Sequence, residues 1–165
     1  MRILLVISVF LVLSSCSHSY YIVRHAEKMP TGPGMTSDVP LSVPGQQRAD
    51  DLLAVLKKKK IGYVFSTQTV RTISTATPTA DFFGLPIEPY GPRPDTAFIR
   101  QLQSLHKNTL VVGHSNTVDD IVNMLCGSVK ITSDLRDKEY DNLYVVKKKG
   151  KQYIFIPKKF GAASE

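Results

Sequence analysis

Arg24 and His25 stand side by side at the end of the apolar run Tyr20-Tyr21-Ile22-Val23, and a second histidine, His114, closes Thr109-Leu110-Val111-Val112-Gly113. A neutral imidazole is a nucleophile or a proton carrier, and a guanidinium is a planar donor fork that fits the oxygens of a phosphate or carboxylate. Arg71, shortly after Ser66-Thr67, supplies a second guanidinium. Taken alone, an Arg-His pair reads more readily as a surface cation beside a satisfied turn histidine. The elements that carry the residues decide between the two.

Tyr20 to Val23 are aromatic and β-branched, as a buried strand requires. A Pro- and Gly-rich loop follows from Met29 to Val43. The spacing of Ala49, Leu52, Leu53 and Leu56 predicts a helix with Ser42 as N-cap and Pro44 in its first turn. Gly62 to Ser66 reads as a second strand. A second helix is expected from about Gln68 to Phe83, with Val70, Ile73, Ala80 and Phe83 inward, a kink at Pro78 and Gly84 as its stop. Leu85 to Tyr90 is a third strand, Asp95 opens a helix on Phe98, Leu102 and Leu105, and Thr109 to His114 is a fourth strand. Val118, Ile121, Val122 and Leu125 mark one more helix. Leu143 to Val146 and Tyr153 to Ile156 form a hairpin through Lys149-Gly150. Strands alternating with helices predict an α/β fold: a mainly parallel sheet with helices on both faces and an antiparallel C-terminal hairpin. In such a sheet His25 and His114 emerge at one edge, and Arg71, in the first turn of its helix, points to that edge. Two guanidiniums, two imidazoles and nearby helix N-termini suit a tetrahedral anion.

The order of these residues resembles the histidine phosphatase superfamily, the phosphoglycerate-mutase-like proteins. Arg24-His25-Ala26 matches the family's Arg-His-Gly, with alanine in the glycine position. Ser66, Arg71, Thr75 and Ala76 match its second arginine motif, Val111, Gly113 and His114 its second histidine, and Leu41-Ser42-Val43-Pro44-Gly45 its lead into the first helix. The resemblance runs from Tyr20 to about Tyr144. It implies a phosphatase needing no metal or other cofactor, in which His25 takes the phosphoryl group and Arg24, Arg71 and His114 hold its oxygens. It also implies a general acid at Asp95, where the family more often has glutamate; the branch with its acid directly after the second histidine is excluded by Ser115 and Asn116. Asp95 reads equally as the N-cap of its own helix. Glu27, Glu88 and Asp141 stand in reserve. The implied partner is a small phosphorylated substrate.

Two readings from other classes stay open: a zinc-dependent hydrolase using His25, Glu27 and His114, and a phosphate-binding protein without turnover. His18 and His106 receive structural roles. So does Cys126, a small hydrophobe in an apolar segment.

The chain has 165 residues, 42% of them hydrophobic, enough for one domain with a core. Met1-Arg2 followed by the apolar run from Ile3 to Leu13, then Ser14-Ser15-Cys16, reads as a lipoprotein-type signal peptide over 1–15 with lipidation at Cys16. A short tether over 16–19 and a histidine phosphatase domain over 20–165 would follow. The expected location is therefore outside the cytoplasm, anchored to a membrane by lipid. The formal net charge of +7 owes much to Lys57 to Lys60 and to Lys147 to Lys149 with Lys151. These clusters lack the interleaved aromatics of a nucleic-acid groove, so no nucleic-acid partner is expected.

Overall fold

The computed structural model describes residues 17–34 and 36–164; the apolar run from Ile3 to Leu13 and Cys16, which carry the signal and lipidation reading, lie outside them. Six strands and four helices follow one another among the described residues: β1 (Ser17–Arg24), α1 (Val43–Leu56), β2 (Ile61–Ser66), α2 (Val70–Phe83), β3 (Ile87–Pro89), α3 (Thr96–Ser104), β4 (Asn108–Gly113), α4 (Val118–Cys126), β5 (Asn142–Lys149) and β6 (Gln152–Lys159). They form one sheet in the order β3-β2-β4-β1-β5-β6. The first four in that order run parallel, and β5 and β6 are antiparallel to their neighbours.

Strand β1 is buried on both faces, which is why its sequence is a continuous apolar run without alternation. Tyr20 and Ile22 pack with Phe98, Leu102, Ile121 and Leu125 of α3 and α4. Tyr21 and Val23 pack with Leu52 and Leu56 of α1 and Ala76 and Ala80 of α2. Ser17 to Ser19, expected as tether, extend β1 and pair with Lys149 to Lys147 of β5. His18 is buried there; with the Tyr20 hydroxyl committed to Leu102 O at 2.9 Å, His18 Nε2 donates to Tyr20 Oη at 3.0 Å.

Helix α1 begins as its sequence predicts. Ser42 Oγ accepts from Gly45 N at 3.3 Å, and Pro44 occupies the first turn. A Cβ at Gly45 would lie 2.0 Å from Glu27 O, so only glycine lets the helix approach the loop after β1. Helix α2 differs from expectation. It runs as one helix through Pro78, but Val70 and Ile73 are exposed, and the buried face is Thr72, Thr75, Ala76, Thr79 and Ala80. Small residues allow α2 to lie close to α1 and the sheet, and threonine hydroxyls can bond back to the preceding turn. Thr75 shows the gain: its Oγ1 donates to Arg71 O at 2.8 Å and accepts from Ala26 N at 2.9 Å. The residue after His25 is thereby tied to the helix that carries Arg71.

Candidate active site

Strands β1 and β4 are neighbours in register, with Arg24 opposite Gly113. His25 N donates to Gly113 O at 2.8 Å, so the two histidines leave the sheet together, and their rings lie 5.5 Å apart. Gly113 is required at this crossing because a Cβ would lie 2.5 Å from Tyr90 Oη and 2.6 Å from Thr117 Oγ1. Thr117 holds the turn, with its Oγ1 accepting from His114 N at 2.9 Å.

His25 is buried, and its Nδ1 lies 2.8 Å from Ala26 O. A carbonyl only accepts, so Nδ1 carries the proton and Nε2 keeps its lone pair. Burial pushes the pKa of His25 down to about 3, with Arg24, Arg71 and His114 adding to the shift and the Ala26 carbonyl opposing it. The ring is neutral across the physiological range.

His114 is fixed by its neighbours on both sides. Arg71 Nη2 donates to Nδ1 at 3.3 Å, which leaves the proton on Nε2 to be donated to Thr67 Oγ1 at 2.9 Å. Thr67 Oγ1 donates in turn to Thr72 Oγ1 at 3.1 Å, and Thr72 Oγ1 to Thr67 O at 2.8 Å. Burial first, then Arg71 and Arg24, lower the His114 pKa to about 4. Thr67 and Thr72 therefore set the tautomer of His114, a role that their short polar side chains do not announce in sequence.

Arg24 is also buried. Its Nη1 donates to Arg136 O at 2.8 Å and to Asp137 O at 3.0 Å, and its guanidinium lies 4.4 Å from the centre of the Tyr140 ring. Arg71 Nη1 donates to Ser37 O at 3.1 Å and lies 3.5 Å from Asp38 Oδ1, while Asp38 Oδ1 accepts from Val70 N at the start of α2. The loop before α1 is thus pinned over the site. The Nε atoms of Arg24 and Arg71 are buried without a hydrogen-bond partner among the described residues. Such donors are costly unless an anion satisfies part of each guanidinium.

Arg24, His25, Arg71 and His114 line one cleft of about 970 Å³. Asp95 lines it too, and is at the same time the N-cap of α3, with Oδ1 accepting from Phe98 N at 2.8 Å. The N-cap reading of this residue is thus met, and its side chain also borders the cleft. The reserves do not share the cleft. Glu27 is held by Arg48 through contacts of 2.6 to 2.9 Å, Glu88 lies in β3, and Asp141 pairs with Lys159 at 2.8 Å. The zinc set of His25, Glu27 and His114 therefore does not assemble, because Arg48 claims both oxygens of Glu27. Among the described residues no three His, Cys, Asp or Glu side chains are grouped to hold a metal ion.

Asp137, Tyr140, Arg93 and Lys28 also line the cleft and were not singled out by sequence reasoning. Asp137 and Tyr140 belong to the irregular segment between α4 and β5, where no periodicity marks a residue as inward. The usable signal is Arg24: a buried guanidinium needs carbonyls, and no regular element offers free ones.

A family model for the histidine phosphatase superfamily (branch 1) matches residues 20–90. No curated protein matches the chain. Among solved structures, it resembles the protein histidine phosphatase SixA complexed with tungstate (TM-score 0.67, 21% identity, 86% of this chain and 96% of that chain). It also resembles a mycobacterial glucosyl-3-phosphoglycerate phosphatase (0.64, 11%, 88% and 99%) and the phosphoglycerate mutase of Bacillus anthracis (0.62, 15%, 86% and 92%). The chain thus matches the histidine phosphatase superfamily model over β1 to β3 and shares a fold along nearly the whole of these neighbours.

Proposed function

We propose that the chain is a phosphomonoesterase that needs no metal and passes the phosphoryl group through His25. The observation that carries this reading is the hydrogen bond from His25 Nδ1 to Ala26 O, which leaves Nε2 unprotonated in a cleft lined by two guanidiniums. Nε2 attacks phosphorus, the ester P–O bond breaks as the P–N bond forms, and the departing alkoxide takes a proton from Asp95. Asp95, now a carboxylate, takes a proton from water; the water oxygen attacks phosphorus, the P–N electron pair returns to Nε2, and inorganic phosphate leaves.

Arg24, Arg71 and His114 hold the three remaining oxygens, whose charge grows in the transition state. Burial and, after it, the two guanidiniums keep His114 neutral; the arriving dianion offsets the guanidiniums, and Nδ1, released by Arg71 Nη2, takes a proton from water and donates to an oxygen. Thr67 holds the other ring nitrogen meanwhile. The tungstate in SixA, a tetrahedral oxyanion, supports the reading of this cleft as an oxyanion site. Hydrolysis of nitrophenyl phosphate is expected to continue in excess chelator and to vanish in His25→Ala. Activity lost to chelator and restored by zinc would contradict the proposal.

A further inference from the structure

The two ends of the parallel strands differ in chemistry. Their carboxyl ends carry the cleft, and their amino ends carry lysines. Lys57 to Lys60 lead into β2 and Lys107 into β4, while the register of β1 with β5 sets Lys147 opposite Ser19 and Lys149 opposite Ser17. From that end a groove of about 340 Å³ opens beside α1 along β1, β5 and β6. Its apolar wall includes Val55 and Ile156, its cations are Lys59, Lys147 and Lys158, and no carboxylate lines it. Val55 is 37% exposed and Ile154, opposite Lys147, is 43% exposed. Lysines standing around exposed aliphatic side chains are suited to a surface that is anionic outside and apolar beneath.

Where the chain enters this end matters as much. β1 starts at Ser17, opposite Lys149, so the preceding stretch with its apolar run from Ile3 to Leu13 joins the domain beside these lysines. Ser17 to Ser19 are themselves paired in the sheet beside these lysines. A nucleic acid would need rings to stack on, and the aromatic side chain in the groove, Tyr21, is 7% exposed.

We propose that this basic end is a docking face for an anionic phospholipid bilayer, with the end of the groove at Lys59 and Lys147 taking headgroup phosphates, and that it holds the catalytic cleft on the side away from the lipid. The full chain is mixed with vesicles of phosphatidylglycerol or of phosphatidylcholine, and lysine acetylation is read by mass spectrometry. At roughly fivefold in affinity per lysine near an anionic surface, Lys59, Lys147, Lys149 and Lys151 are expected to react about tenfold less on phosphatidylglycerol than on phosphatidylcholine. Lys28, at the cleft, keeps its reactivity on both. The double variant K59E/K147E is expected to lose the difference at Lys149 and Lys151. Equal acetylation on both lipids, protection extending to Lys28, or the same protection by duplex DNA in place of vesicles would each overturn the proposal, and the wild-type footprint alone suffices if the variant does not fold.

Discussion

One proton on one nitrogen organises the site at the scale of the residue. Ala26 O fixes it on His25 Nδ1, and the same logic through Thr67 fixes the proton of His114 on Nε2. On the proposed function His25→Ala abolishes turnover, because it removes the nucleophile. Arg71→Ala and His114→Ala remove one of several partners of the phosphoryl oxygens and should each cost about two to three orders of magnitude in kcat. Asp95→Asn isolates the acid, since asparagine caps a helix as well as aspartate does. Its melting temperature should match wild type while alkyl phosphates lose far more rate than nitrophenyl phosphate, whose leaving group needs little protonation. Equal losses on both substrates would remove Asp95 from proton transfer and turn attention to Asp137. That Arg24, His25, Arg71 and His114 share one cleft was legible in sequence because charged and imidazole side chains stand out at the ends of apolar strands. Thr67, Asp137 and Tyr140 were not, because a short polar residue in a loop looks the same whether it orients an imidazole or faces water.

Two elements set the precision of the site through close approach. Gly113 brings β4 against Tyr90 and Thr117, and Gly45 brings α1 against Glu27. Gly113→Ala should destabilise the fold by about 1–3 kcal/mol, the usual cost of overpacking, and should lower kcat by displacing Thr117 from His114 N. A denaturant midpoint and a rate measured on the same preparation check both effects. Arg48→Ala should cost about 2 kcal/mol, less than breaking a fully buried pair because Glu27 keeps 22% of its side chain exposed. Arg48 also donates to Phe160 O and Ala162 O, so its loss frees the end of the chain. The strands and the N-caps at Ser42 and Asp95 were readable because their patterns are local. The face that α2 buries was not, since threonines carry no apolar pattern and Thr75 gains its bond to Ala26 N only when α2 meets the loop beyond β1.

The whole molecule bears a cost for keeping two histidines neutral. In the unfolded chain each titrates near 6.5, and in the folded chain near 3 for His25 and 4 for His114. Below pH 6.5 the unfolded state therefore binds protons that the native state refuses, and stability falls as pH falls toward 4. Thermal melts between pH 7 and 4 should show this slope, and His25→Gln with His114→Gln should flatten it; an unchanged slope would mean that other groups set the acid limit. Inorganic phosphate should raise the melting temperature of the wild type and not of Arg24→Ala. At this scale the parallel sheet was legible from the alternation of strands and helices. The pairing of Ser17 to Ser19 was not, since three small polar residues become strand only when β5 lies beside them.

The central claim is a covalent bond between phosphorus and His25 Nε2. Rapid acid-free quenching of the enzyme during turnover of a phosphomonoester, followed by peptide mass spectrometry under alkaline conditions, tests it directly. A single phosphoryl group on the peptide containing His25, stable in base, lost in acid and absent from His25→Ala, is the predicted result. Turnover at full rate with no phosphoryl group on His25, or with one on His114 instead, would contradict the account.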